Sequence, residues 1–225
     1  ADQSHALLIT SALPEEGKSF LSLSLAMALQ ELGRKTLLID GDLRRPSLHK
    51  ILQVDLEPGL SGILQSELEA AEAVRLSSVA NNLPVVPAGL TPEQPTDILG
   101  SPKFRQLLQD WKQAYQYVII DTPPSLGLLT LNSLVDCDGV IIPIQTHYYA
   151  LIGMRQLLQT LKMGREEVGH QVDIVGVLPT MFDPRTNISN EILQGIRERF
   201  GDAVFRTTIH FNIKLVESSM AGAPL

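Results

Sequence analysis

The apolar run Ala6–Thr10 leads into Ser11-Ala-Leu-Pro-Glu-Glu-Gly-Lys-Ser19, and a long helix-like stretch, Lys18–Leu32, follows. This succession leaves few architectures open. A Gly-Lys-Ser triplet between a buried strand and a helix start turns several backbone N–H groups inward, and the helix N-terminus adds positive potential. A loop of that kind holds a polyphosphate. Gly17 leaves room for the backbone to approach it, Lys18 would reach the β- and γ-phosphates, and the Ser19 hydroxyl would ligate Mg²⁺. The fuller GxxxxGK[ST] pattern opens with a glycine where this chain has Ala12. An ordinary strand–turn–helix with a surface lysine is the plain rival reading, and two further motifs weigh against it.

Those motifs are carboxylates at the ends of apolar runs. Thr36-Leu-Leu-Ile-Asp40-Gly-Asp42 closes one run and Tyr117-Val-Ile-Ile-Asp121-Thr-Pro-Pro another. Strand C-termini form the edge at which open α/β sheets bind ligands. The i, i+2 spacing predicts that Asp40 and Asp42 point the same way along extended chain. One would organise a metal's water shell and the other orient an attacking water or hydroxyl. Asp121 fits a Walker-B role on Mg²⁺. Any single aspartate can simply stop a strand; three at matching ends, with a phosphate loop, argue for chemistry.

The rest of the chain alternates in the same way. Strands are predicted at Ala6–Thr10, Thr36–Asp40, Leu83–Val86, Tyr117–Asp121, Gly139–Ile144, Asp173–Leu178 and Phe205–Ile209. Helices are predicted at Lys18–Leu32, Pro102–Tyr115, Tyr149–Met163 and Ile188–Phe200, with short ones after the N-cap candidates Ser47 and Thr96. Near-continuous apolar strands separated by helices predict an α/β fold: a doubly wound, mostly parallel sheet with helices on both faces. With 225 residues, 44% of them apolar, and no repeat or linker, residues 1–225 read as a single domain.

Composition excludes several classes. The apolar runs are strand-length, well short of the roughly 18 residues of a membrane helix. One cysteine, Cys137, leaves neither an internal disulfide nor a cysteine-built zinc site, so a cytoplasmic setting is expected. A net charge of −7 disfavours bulk attraction to nucleic acid. Residues 181–225, however, hold five basic and five acidic side chains, so a local basic patch there stays open.

Taken together, these motifs resemble the deviant-Walker ATPases of the ParA/MinD group, and the resemblance covers nearly the whole chain in two parts. Up to about residue 123 the phrasing is similar to bacterial tyrosine kinases of capsule and exopolysaccharide export. Ser11–Ser19, Ile39-Asp-Gly-Asp-Leu-Arg-Arg-Pro-Ser-Leu-His49, Gly59-Leu-Ser-Gly-Ile-Leu64, Leu83-Pro-Val-Val-Pro-Ala-Gly89 and Pro95-Thr-Asp-Ile-Leu-Gly-Ser101 carry it. From about Asp121 the text is similar to Soj-like partition proteins. Asp121-Thr-Pro-Pro-Ser-Leu-Gly-Leu-Leu-Thr-Leu-Asn132, Gln145-Thr-His-Tyr-Tyr-Ala-Leu151 and Met181-Phe-Asp-Pro-Arg-Thr-Asn187 carry that part. The resemblance implies ATP and Mg²⁺ as cofactors, an ATP-dependent homodimer, an activating partner protein and hydrolysis used as a positional switch. Lys18, Asp42 and Asp40 would be catalytic, and Ser19, Asp42 and Asp121 would serve the metal. Glu16, Gly17, Lys18, Ser19 and Phe20 would bind the nucleotide, with Met181, His210 and Phe211 near the adenine. Two rivals remain: a protein-tyrosine kinase module, and an ATP-bound scaffold with negligible turnover.

The sequence departs from both parents. Partition ATPases carry a lysine five residues before the Walker lysine that reaches the partner's nucleotide; here that position is Leu13. The kinases carry a C-terminal tyrosine cluster and an N-terminal Glu/Arg helix, and neither occurs within these 225 residues. Arg185, Arg206 and Lys214 are candidates for nonspecific DNA contact. The family's Pro-Arg-Asn-Val-Arg stretch reads His210-Phe-Asn-Ile-Lys214, which weakens any phosphate grip. Arg44 and Arg45 read equally as a solvated pair or as phosphate or partner contacts. Leu151, Met154, Leu157, Leu158 and Leu161 form one apolar helical face expected in the core. Tyr148 and Tyr149 are expected to pack, His147 to be structural and Cys137 to be buried.

Overall fold

The computed structural model describes residues 4–66, 68–92, 99–123, 137–147, 149, 150, 152, 153, 155 and 173–211. Seven strands make one sheet: β1 (His5–Ile9), β2 (Thr36–Asp40), β3 (Arg75–Ser77), β4 (Leu83–Val86), β5 (Tyr117–Asp121), β6 (Gly139–Gln145) and β7 (Asp173–Thr180). Their spatial order is β3-β4-β2-β5-β1-β6-β7. Every pairing is parallel except β3 with β4 at one edge. Described helices are α1 (Lys18–Glu31), α2 (Leu48–Ile51), α3 (Leu60–Gln65), α4 (Pro102–Ala114) and α5 (Asn187–Phe200).

Alternation along each strand divides the core into two layers. Leu37, Ile39, Val118 and Ile120 join Phe104, Leu108 and Trp111 of α4 and Ile192 and Ile196 of α5 on one face. Leu38 and Ile119 point the other way, with Ala26 of α1 and Leu48 of α2. Both faces of β2 and β5 are therefore covered, which is why these strands read as unbroken apolar runs. Helices on both faces of a mostly parallel sheet match the expected class. α4 starts cleanly because Ser101 accepts the Phe104 N–H at 3.2 Å and Pro102 occupies the first turn.

Three expectations need correction or lie elsewhere. β3 escapes a search for apolar runs because it is a three-residue edge strand with exposed Leu76. Phe205–Ile209 does not form a strand. Its backbone reaches β7 only at Phe205 N–H to Val177 O and Ile209 N–H to Pro179 O, both 2.9 Å. Pro179 has no N–H to return, so a continuous ladder cannot form there. The helix predicted at Tyr149–Met163, with Leu151, Met154, Leu157, Leu158 and Leu161, lies largely outside the described residues, as do Tyr148 and Thr96. Ser47 precedes α2 as expected, but its side chain makes no capping bond. Cys137 is buried as expected, whereas Tyr149, expected to pack, is exposed, with its ring 6.0 Å from that of the likewise exposed His147.

The two phrases Gly59–Leu64 and Leu83–Gly89 meet in space. Leu60 and Ser61 N–H groups donate to Pro87 O and Ala88 O at 2.7 and 2.8 Å, docking α3 onto the chain that leaves β4. Gly59 permits this approach, since a Cβ there would run into Gly89 N and Pro87 O. Replacing Gly59 with Ala should cost about 1–3 kcal/mol through overpacking against backbone. Gly62, with only Pro58 Cβ at 3.5 Å, should accept Ala with a gain of up to about 1 kcal/mol from helix propensity. Urea unfolding followed by the single tryptophan, Trp111, distinguishes the pair; equal midpoints would contradict the proposed contact.

Candidate functional site

The loop between β1 and α1 is held from three directions. Gly17 has φ 88° and Glu15 φ 62°, so the chain enters α1 through left-handed backbone. From the helix, the buried Lys18 Nζ donates to Ser11 Oγ at 2.7 Å and to Leu13 O at 3.2 Å. From within the loop, the Glu16 carboxylate accepts the Leu13 N–H at 2.8 Å and the Gln145 N–H at 3.4 Å, tying the loop to the end of β6. From β7, the Thr180 hydroxyl donates to Glu16 O at 3.1 Å. Burial pushes the Glu16 carboxyl above the usual carboxylate range, although these bonds and Lys18 oppose it. The Glu16 side chain thus braces the loop from within.

Ala12 and Leu13 pack against Gly153. A Cβ on Gly153 would stand 2.8 Å from Ala12 Cβ and 3.1 Å from Leu13 Cγ. Leu13, at the position of the missing lysine, is half-buried in apolar contact.

The carboxylates assemble by register. Asp40 of β2 is paired with Asp121 of β5, and Asp121 with Ile9 of β1, the last strand residue before the loop. Gly41 N–H donates to Asp121 O at 2.8 Å, and a Cβ at Gly41 would lie 2.6 Å from that oxygen. Asp121 accepts from Ser22 Oγ at 3.1 Å and also from the Ser19 hydroxyl. Ser22 in turn bonds Lys18 O at 2.9 Å. Burial raises the Asp121 carboxyl to about 6 against these bonds and Lys18. Burial, with Asp121 alongside, raises Asp40 to about 7. Lys18 is pushed below the usual lysine range by burial, against the pull of Asp121, Glu16 and Asp42.

Asp40 and Asp42 do not share a setting. Asp40 is wholly buried, and its two oxygens accept the N–H groups of Asp42 (3.2 Å) and Leu48 (3.1 Å), so it fixes the turn after β2. This corrects the expectation that both carboxylates face the ligand. Asp42, beyond Gly41, is half-buried and caps the next turn through Arg44 and Arg45 N–H groups at 3.2 and 2.9 Å.

The adenine-side candidates gather at the end of β7. Met181 follows Thr180 with φ 52°, and its carbonyl accepts the Thr146 hydroxyl at 3.2 Å. His210 lies edge-on to Phe182 at 5.3 Å, and Phe211 N–H donates to Phe182 O at 3.0 Å. One residue, Thr180, links this cluster to the loop. Phe20 is half exposed on α1. Arg206 is exposed. Arg185 forms a two-pronged ion pair with Asp183, Nε to Oδ1 and Nη2 to Oδ2 both at 2.8 Å, which draws the Asp183 carboxyl down to about 2. Lys214 lies outside the described residues. Sequence reading missed Ser11, Ser22, Thr146 and Thr180, whose hydroxyls brace the site; Ser22 lies inside α1 and the others at or just past strand ends, with no local signal of their partners.

Hard oxygen donors are what magnesium takes, and the side chains of Ser19, Asp42 and Asp121 end in oxygen. No cluster of three or more His, Cys, Asp or Glu suited to a metal occurs among the described residues.

A carboxyl that titrates higher in the folded than in the unfolded chain binds more protons when folded. Stability therefore falls as pH rises from about 4 and levels off above about 7, given Asp121 and Asp40. Melting temperatures of the nucleotide-free protein should decline across that window, and Asp40→Asn should flatten the decline. An identical profile in the variant would contradict the burial-driven shift.

A family profile described as an AAA domain matches residues 16–174. Soj of Bacillus subtilis, a sporulation initiation inhibitor protein, is 34% identical over 97% of this chain and 89% of its own length. The chromosome-partitioning ATPase Soj of Treponema pallidum is 35% identical over 93% and 84%. Cobyrinic acid a,c-diamide synthase of Mycobacterium smegmatis, solved with an ATP analogue and magnesium, superposes with a TM-score of 0.82 at 27% identity, covering 92% of this chain and 84% of that one. The kinase domain of the Escherichia coli tyrosine kinase ETK gives 0.64 at 29% identity, covering 70% and 64%. By sequence over nearly its whole length, and by fold, the chain belongs to the Soj/ParA family of AAA-domain proteins.

Proposed function

We propose that this chain is a single-domain, Mg²⁺- and ATP-dependent ATPase of the ParA kind that dimerises around nucleotide and positions an intracellular cargo. The observation that carries the reading is the convergence of Lys18, Ser19, Asp42 and Asp121 at one sheet edge beside a loop braced by Glu16 and Thr180. Lys18 and the loop amides would stabilise phosphate charge. Ser19 and Asp121 would hold magnesium, which when bound neutralises charge on the phosphates. Asp42 would orient the attacking water, being the half-buried acid on the turn outside β2. Met181, His210 and Phe211 would border adenine. Relatives described as a chromosome-partitioning ATPase and a synthase holding an ATP analogue and magnesium support this assignment.

DNA is the weaker part of the cargo reading. Arg185 is engaged by Asp183 and Phe211 stands where the family carries a base, so DNA binding should be weak, ATP-dependent and steeply lowered by salt. No described helix is long and apolar enough to cross a membrane. Action in the cytoplasm on a protein-borne cargo, with an activating partner, completes the proposal.

Lys18→Ala should weaken ATP affinity about ten- to hundred-fold, the worth of one charge-assisted contact. Asp42→Ala should retain ATP, lose turnover and accumulate as a nucleotide-bound dimer, because a group that positions the nucleophile acts in the transition state. Calorimetry, phosphate release and size-exclusion chromatography read these effects. Label transferred to tyrosine would favour a kinase, and tight ATP binding without release a scaffold. An unshifted DNA band at low salt with ATP, alike for wild type and Arg185→Ala, would remove DNA from the reading.

A further inference from the structure

Lys18 is aimed by acceptors inside its own loop. An ammonium group has three N–H donors. Lys18 Nζ gives one to Ser11 Oγ at 2.7 Å and one to Leu13 O at 3.2 Å, which leaves the third for a phosphate. Ser11 closes the set by donating its own hydroxyl to Leu13 O at 2.8 Å. Both side chains therefore converge on the Leu13 carbonyl. Its direction is set by the backbone angles of Leu13, and Pro14 already bars helical angles there. What remains is to fix the other end of the residue, the Leu13 N–H.

Glu16 does this. Its buried carboxylate accepts the Leu13 N–H through Oε2 at 2.8 Å. The acid is itself anchored on the sheet. Its Oε1 accepts the Gln145 N–H at the end of β6 at 3.4 Å, and its backbone carbonyl accepts the Thr180 hydroxyl of β7 at 3.1 Å. The flanking backbone needs such restraint, because Glu15 at φ 62° holds a left-handed conformation that a residue with a Cβ does not favour by itself. Order thus passes from the sheet to Glu16, from Glu16 to Leu13, and from Leu13 to Lys18. Electrostatics point the same way. An acid beside a polyphosphate site opposes the ligand's charge, so phosphate binding alone gives no reason to bury one here.

We propose that Glu16 is a positioning residue for Lys18: by holding the Leu13 N–H it orients the Leu13 carbonyl, which with Ser11 keeps the ammonium aimed at the phosphates. This rests on the ATP reading above and deepens it. Glu16 touches no nucleotide in this arrangement; it acts through Lys18, so its worth to binding vanishes when Lys18 is gone. What it needs for the task is an acceptor oxygen at the right reach, and its charge is secondary.

The test is a double-mutant cycle on nucleotide affinity, read by calorimetric titration of the full chain with Mg-ATP and Mg-ADP. Glu16→Ala should weaken both nucleotides about ten-fold, the worth of one charge-assisted contact at Lys18. In the Lys18→Ala background the same change should cost less than about three-fold, because the residue it serves is absent. Glu16→Gln, which keeps an acceptor oxygen at the same reach, should recover most of the affinity. Glu16→Asp, one methylene short of the Leu13 N–H, should fall with the alanine variant. Thermal melts check the fold, and the aspartate variant carries the cycle if the alanine variant does not melt cooperatively. A loss below about three-fold in the wild-type background, or one of that size or more without Lys18, overturns the proposal. So does a glutamine variant that behaves like alanine or an aspartate variant that behaves like wild type, since charge would then matter and reach would not. Wild type that binds neither nucleotide overturns the ATP reading itself, a separately visible failure.

Discussion

Parallel pairing of β1, β5 and β2 is the constraint on which the rest of the site depends. Register places Ile9, Asp121 and Asp40 side by side at the strands' C-terminal ends, so the loop leaves the sheet beside two buried acids. That pairing has to bring carboxylates out of water, and their protonation is shifted upward as a result. The structure offsets part of the cost with hydrogen bonds: Ser19 and Ser22 to Asp121, and two backbone N–H groups to Asp40. Gly41 is the hinge of this arrangement, because only a residue without Cβ fits against Asp121 O. The acids therefore shape the loop's surroundings even where they do not meet a ligand.

Most of the fold was legible because its strands are buried on both faces. Thr36–Asp40, Leu83–Val86 and Tyr117–Asp121 were read with the bounds the structure gives them, and β1 and β6 within one residue. Reading failed where burial was one-sided or short. Arg75–Ser77 has an exposed centre, and Phe205–Ile209 has strand-like composition but faces a proline that cannot complete the ladder. In both places pairing geometry decides, and apolar content does not report it. The candidate site was legible at its charged members, since Gly-Lys-Ser and the strand-end acids carry strong local signals. The bracing was hidden. Thr180 reaches Glu16 across 164 residues, and nothing local to Thr180 announces that contact.

Asp40 and Asp42 illustrate how a two-residue spacing misleads. Alternation holds only while the chain stays extended, and here the strand ends at Asp40. Gly41 turns the chain, so one acid becomes a buried anchor and the other remains accessible on the turn. Division of labour between the two follows from where the strand stops.

The same logic bears on the two-part character of the sequence. Kinase-like phrases before residue 123 and partition-like phrases after it are joined in the structure by contacts that cross the boundary. Glu16 binds Gln145, Thr180 binds Glu16, and Leu13 packs on Gly153. Each contact links the phosphate loop to the later half. A loop without the trans-acting lysine could be accommodated because the later half offers Leu13 an apolar seat. With Leu13 half-buried there, a charged side chain at that position would give up this apolar contact and part of its hydration. The apolar residue and its seat therefore constrain each other across the boundary between the two parts of the sequence.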